Sequence, residues 1–162
     1  MDGKIRFWDP IGIHCMAIVS EEKPILAILG YETTICYAMS SKVVSFNYLK
    51  PKFELLFEGD EEEVTSMCDC SDLGSTTIFI GTSKGIIYFI DRKSKVVTVW
   101  KKYHEESPVR ALHHSNENLI SADFANKVVI FNTNSLTQVF EIDLSGSAWK
   151  INTLLQLRDV KK

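Results

Sequence analysis

Asp2-Gly-Lys-Ile-Arg-Phe-Trp-Asp9 recurs in altered form as Ser40-Ser-Lys-Val-Val-Ser-Phe-Asn47, as Lys84-Gly-Ile-Ile-Tyr-Phe-Ile-Asp91 and as Ala125-Asn-Lys-Val-Val-Ile-Phe-Asn132. Each copy ends in a bulky apolar residue followed by Asp or Asn. The closing residues stand 38, 44 and 41 positions apart, a mean period of 41. A period of ~40–45 residues is that of a four-stranded propeller blade.

Working outward, the segments upstream of each copy keep the same period. Ile78-Phe-Ile-Gly-Thr82 and Leu119-Ile-Ser-Ala-Asp123 lie at one distance before their closing Asp or Asn. Before them, Gly59-Asp-Glu-Glu-Glu-Val64, His104-Glu-Glu-Ser-Pro-Val109 and Gly146-Ser-Ala-Trp-Lys-Ile151 each lead a polar turn into a β-branched residue. Between these landmarks the chain alternates with a period of two and is rich in Val, Ile, Thr, Phe and Tyr, while no stretch sustains a helical period. Strands are expected at Ile5–Trp8, Ile35–Ala38, Val43–Asn47, Phe53–Phe57, Thr77–Gly81, Ile86–Ile90, Val96–Trp100, Leu119–Ala122, Val128–Phe131 and Gln138–Ile142. The class is all-β.

Composition excludes several function classes. The 162 residues are 45% hydrophobic and 10% aromatic with 8 Gly and 4 Pro, too apolar for a disordered tail and too poor in Gly and Pro for a linker. A net charge of −3 carries no general footprint for nucleic acid. No apolar run reaches the ~18 residues that span a bilayer, and Met1-Asp2-Gly3-Lys4 lacks a secretory n-region and h-region. Cys15, Cys36, Cys68 and Cys70 therefore read as reduced thiols of an intracellular protein, cytoplasmic or nuclear.

The repeats resemble those of the WD-repeat, or β-transducin repeat, family. The copy ending Trp8-Asp9 is near the family pattern, while Phe46, Ile90 and Phe131 stand where the family has Trp. The resemblance implies β-propeller blades of four antiparallel strands: about three complete blades plus partial blades at both ends. On this reading residues 1–20 are a partial blade, 21–58, 59–101 and 102–143 are blades, and 144–162 start a further one through an inner strand at about Ile151–Leu157.

Family members link the strands of a blade through buried His, Ser or Thr, Asp and Trp. Only His104 and Ser121 match here within one repeat, Asp60 replaces the preceding His, and Phe131 has no N–H to offer. The expectation is that the network is broken in every blade and that apolar packing carries stability.

Each blade buries both faces against neighbours. An open face of order 500 Å² forfeits ~12 kcal/mol at ~25 cal/mol/Å², as much as a domain's net stability of ~5–15 kcal/mol. A ring closed at four blades, self-association through the open faces, or continuation in missing sequence would each cover them. The last, a partial propeller, is the expectation favoured here.

No catalytic set converges. Cys68-x-Cys70 lacks a second Cys/His pair at zinc spacing and reads as core thiols. His113 and His114 project to opposite faces of a strand. Ser115 beside His114 is turn chemistry, there is no nucleophile elbow, and Gly81 and Gly85 fit blade positions rather than a phosphate loop. The run Glu58, Asp60, Glu61, Glu62, Glu63 raises calcium or acid–base work, against a solvated loop between blades.

The resemblance implies a non-catalytic protein–protein interaction scaffold, with no cofactor or metal and with other proteins as partners. Loops that enter each inner strand line one rim of the ring, which by position would present Lys23, Glu61, Glu62, Glu63, Arg110 and Trp149 to a partner. Exposed aromatic and Arg residues are the usual anchors of such surfaces. The alternatives are a metal-binding, small-ligand or enzymatic propeller, which would draw on His113 or His114 and Asp69, and an RNA-associated scaffold using Lys101, Lys102, Arg158, Lys161 and Lys162. Neither a membrane nor directly bound nucleic acid is expected.

Overall fold

The computed structural model describes residues 3–9, 11, 14–31, 33–70, 76–146 and 151. Among the described residues, fourteen strands form one two-stranded and three four-stranded antiparallel sheets. Strands β1 (Lys4–Trp8) and β2 (Cys15–Ser20) pair alone. The first four-stranded sheet runs β3 (Ala27–Tyr31), β4 (Thr34–Met39), β5 (Lys42–Asn47), β6 (Lys52–Glu58) in spatial order. The second is β7 (Val64–Asp69), β8 (Thr77–Thr82), β9 (Ile86–Asp91), β10 (Val96–Lys102), and the third β11 (Val109–Ser115), β12 (Asn118–Asp123), β13 (Lys127–Asn132), β14 (Thr137–Asp143). Each is a simple meander, and the first strands β3, β7 and β11 lie beside one another in succession. Successive sheets therefore radiate from their first strands, the arrangement of propeller blades. Residues 152–162, where the further inner strand was expected, lie outside the described residues.

The recurring Asp or Asn has a local cause. Asp9 Oδ1 accepts from the Ile11 amide at 2.9 Å, Asn47 Oδ1 from Leu49 and Lys50 at 3.0 Å each, Asp91 Oδ1 from Lys93 at 2.8 Å, and Asn132 Oδ1 from Asn134 at 3.0 Å and Ser135 at 2.8 Å. A short side-chain acceptor at the end of each third strand thus organises the turn into the fourth. Asn132→Ala is expected to destabilise the chain by about 1 kcal/mol, read as a lowered urea midpoint.

The turns between second and third strands make a second repeated contact. Gly3 O accepts from the Glu21 amide at 2.8 Å, Ser41 O from Gly59 at 2.9 Å, Ser40 O from Val64 at 2.8 Å, and Asn126 O from Leu144 at 3.1 Å. Each such turn therefore holds the chain that leads to the next blade. Gly85, at φ 73°, fits the series because a Cβ there would lie 2.9 Å from Ser107 O and 3.2 Å from His104 Cβ.

The cores lie between sheets. Ile5 and Val19 pack against Ile35, Tyr37, Val44 and Phe46; Ala38, Val43 and Phe57 against Val64, Ile78, Ile80 and Ile90; Phe79 and Ile87 against Val109, Leu112, Leu119, Val129 and Phe131. Gly81 sits where the second and third blades approach closely, since a Cβ there would lie 2.6 Å from Val109. The position before each closing Asp or Asn faces the preceding sheet, which buries Phe46, Ile90 and Phe131. Trp8 holds that position in the two-stranded sheet and is 56% exposed. At the other end, Ala111, Ala122 and Val128 pack with Ile120 and Ile151, while Phe140 and Ile142, in register with Ile130 and Val128, stay exposed.

Candidate functional site

Three loops enter the four-stranded blades, and each places a polar side chain against the blade it introduces. Before the first blade, Glu21 accepts from the Tyr37 hydroxyl; before the second, Glu62 accepts from the Tyr88 hydroxyl. Before the third, His104 Nε2 lies 2.8 Å from Ser121 Oγ and His104 Nδ1 3.1 Å from Asp123 Oδ2. The expectation of a broken network is corrected for the third blade, where His104, Ser121 and Asp123 form one with all three buried. In the other two a Glu–Tyr pair takes its place, through Glu62 rather than Asp60.

Electrostatics fixes the donors. Asp123 accepts only, so His104 carries its proton on Nδ1 and leaves Nε2 to accept from Ser121. Burial outweighs the pull of Asp123 and holds His104 below the usual histidine range, so it is neutral at neutral pH. Burial first, and then the facing Glu carboxylates, push the Tyr37 and Tyr88 hydroxyls up and keep both as donors.

Glu62 is 5% exposed, and its second carboxylate oxygen, Oε2, is buried with no hydrogen-bond partner. Its side chain folds over Gly59, where a Cβ would lie 3.0 Å from Glu62 Cγ and from the Phe57 ring. Tyr88→Phe removes the hydroxyl bonded to this carboxylate and is expected to cost about 1–3 kcal/mol. A melting temperature equal to the wild type's would show that the contact contributes nothing.

The six rim candidates separate accordingly. Lys23, Glu61 and Glu63 are exposed, Glu62 is turned inward, and Trp149 lies outside the described residues. Arg110 is half-buried with its guanidinium 4.7 Å above the Phe124 ring, and Phe124 is 49% exposed. Phe124 and Asp123 were missed because they lie in the turn after β12 and at its last residue, positions where the sequence offers no repeated residue type. A half-exposed aromatic capped by Arg is a recognised anchor chemistry.

Of the other candidates, Cys68, Cys70 and His114 lie inside the blade stack. Cys68 and Cys70 are buried in the core between the second and third blades, with Cys70 Sγ 3.5 Å from His114 Nε2 and the His114 ring stacked on Phe79 at 5.7 Å. Burial, then Asp69 and Cys70, pushes the Cys68 thiol up, the reverse of what activates a nucleophile. Among the described residues no three His, Cys, Asp or Glu side chains group closely enough to hold a metal ion.

Sheets of four antiparallel strands stacked through their faces define this chain as blades of a β-propeller, all-β throughout its described residues. Solved structures share that fold. The computationally designed Ika8 protein matches 98% of this chain with a TM-score of 0.74 at 14% identity, over 48% of its own length. U3-55K matches 77% at 0.64 and 13% identity, over 41% of its length. A chain of the mitotic checkpoint complex matches 68% at 0.59 and 17% identity, over 33% of its length. This chain thus spans a third to a half of each. No family model matches it, and no curated protein does.

Proposed function

We propose that the chain is a non-catalytic protein-interaction scaffold of WD-repeat type, acting in a cytoplasmic or nuclear complex. The observation that carries this reading is the repeated blade junction. The polar groups there, buried His104, Ser121 and Asp123 and the two half-buried Glu–Tyr pairs, are engaged in holding entering loops to blades, while the same loops display Lys23, Glu61 and Glu63 to solvent. Arg110 over Phe124 adds an aromatic–cation pair close to that edge, since Phe124 N bonds Pro108 O at 3.1 Å. A frame of paired strands with a charged and aromatic rim suits recognition of protein surfaces, and one of the structures sharing the fold belongs to a multiprotein checkpoint complex.

The test is affinity capture with the wild type, with Glu61→Lys combined with Glu63→Lys, and with Trp149→Ala, each checked for an unchanged melting curve. A defined set of proteins held by the wild type and lost by a rim variant is expected. Capture undiminished in both variants overturns the rim assignment.

A further inference from the structure

We propose that the outer edge of β10, the last strand of the second four-stranded blade, takes up an extended segment of a partner protein as an added strand, a segment of β-branched residues with acidic residues at both ends. This surface is separate from the rim loops and holds whether or not those loops bind proteins.

Strand β10 ends its sheet, with β9 on one side and, among the described residues, no strand on the other. Such an edge presents unpaired N–H and C=O groups, and edge strands are ordinarily protected by charged residues. Of the outer strands of the four-stranded sheets, β6 carries Lys52, Glu54 and Glu58, and β14 carries Glu141 and Asp143. β10 carries no charge over its first five residues, Val96-Val-Thr-Val-Trp100. Val96, Val97 and Val99 are 55%, 39% and 61% exposed, and Thr98 is exposed with them. Four β-branched residues in a row favour the extended backbone that pairs with an added strand. The register shifts between Val99 and Lys101, so the regular edge spans Val96–Val99.

Charge decides the occupant. Arg92, Lys93 and Lys95 precede the uncharged run, and Lys101 and Lys102 follow it. Among the described ion pairs, Glu54 lies 3.7 Å from Lys95 but 2.6 Å from Lys52, and Glu106 holds Lys102 at 2.5 Å. A second copy is a poor occupant. Antiparallel pairing of two β10 edges sets residues 92–95 of one against 101–102 of the other, and parallel pairing sets each Lys beside its counterpart. Like charges facing one another across strands are destabilising. A segment with carboxylates at both ends gains at each flank what a second copy loses. Main-chain hydrogen bonds supply the affinity of an added strand, and the acidic ends select this one.

The experiment titrates the isotopically labelled full chain with acetylated, amidated Asp-Glu-Thr-Val-Thr-Val-Glu-Asp and follows amide chemical shifts and hydrogen exchange. Saturable shifts are expected at residues 92–102, with exchange slowed at the amides of Val96–Val99. Two further peptides carry N-methyl groups on alternate residues of the central four, one in each phase. Alternate residues of an added strand turn their N–H toward the edge, so one phase should weaken binding about tenfold or more and the other leave it within about twofold. Lysine in place of the four acids should weaken binding by a similar factor. So should Val99→Glu, which sets a carboxylate on an exposed position of the edge and is expected to leave the melting curve unchanged. If Val99→Glu does not fold, the methylated peptides still decide the question on the wild type. No saturable shift, equal binding of the two methylated peptides, undiminished binding of the lysine peptide or by folded Val99→Glu, or shifts confined to another surface overturns the proposal. Slowed exchange at Val96–Val99 that grows with chain concentration in the absence of peptide assigns the edge to a second copy and overturns it too.

Discussion

Phe131→Ala is expected to lower the stability of this chain by about 3–5 kcal/mol, while Phe140→Ala, one strand away in the same sheet, should change it by less than about 1 kcal/mol. Phe131 is fully buried between the second and third blades, its ring 3.8 Å from that of Tyr103 and 5.6 Å from that of Trp100. Removing it leaves a cavity that two rigid sheets cannot collapse around. Phe140 is 56% exposed on the outer strand and loses little on truncation. Urea unfolding of both variants measures the contrast directly. Equal losses at the two positions would mean that the sheets do not stack through the faces described.

His104→Ala should cost about 3 kcal/mol, because Asp123 Oδ2 is then left in a dry site with its partner gone. The same group makes stability depend on pH. Its folded pKa lies below the value of ~6.5 in the unfolded chain, so below that pH the unfolded state binds the proton first. Stability is therefore fully present above about pH 6.5 and declines as pH falls below it. Wild-type urea midpoints should drop between about pH 7.5 and about pH 5.5, and His104→Gln should flatten the slope by removing one of the titrating groups. A wild-type midpoint that does not change over this range, or a variant with the wild-type slope, would contradict a neutral buried His104.

The blade framework was legible because its cause is local. Alternating apolar residues set the strands, and the Asp or Asn that closes each repeat sets the turn after it, as Asp91 and Asn132 do. Phe46, Ile90 and Phe131 serve without an N–H because the position before each closing Asp or Asn is used for apolar contact with the preceding sheet.

The junction chemistry was not legible, because it is settled between an entering loop and strands 16 to 26 residues further on rather than by neighbours along the chain. Glu62 lies between two similar acids, and only the position of Tyr88, 26 residues further on, decides that it turns inward while Glu61 and Glu63 do not. Asp123 matched no family position read from the sequence, yet its carboxylate fixes the His104 tautomer. Arg110 was selected as a rim residue on type and position, but its companion Phe124 emerges only from the fold of the β12–β13 turn.

On the scaffold proposal, the loops that enter the blades are the surface that recognises proteins. Hydrogen-exchange footprinting of the full chain, with and without a protein recovered by capture, tests that claim most directly. Slowed exchange is expected at residues 20–26, 59–64 and 103–110, with unchanged exchange along β14. Protection confined to β14, or to strands remote from those loops, would contradict it.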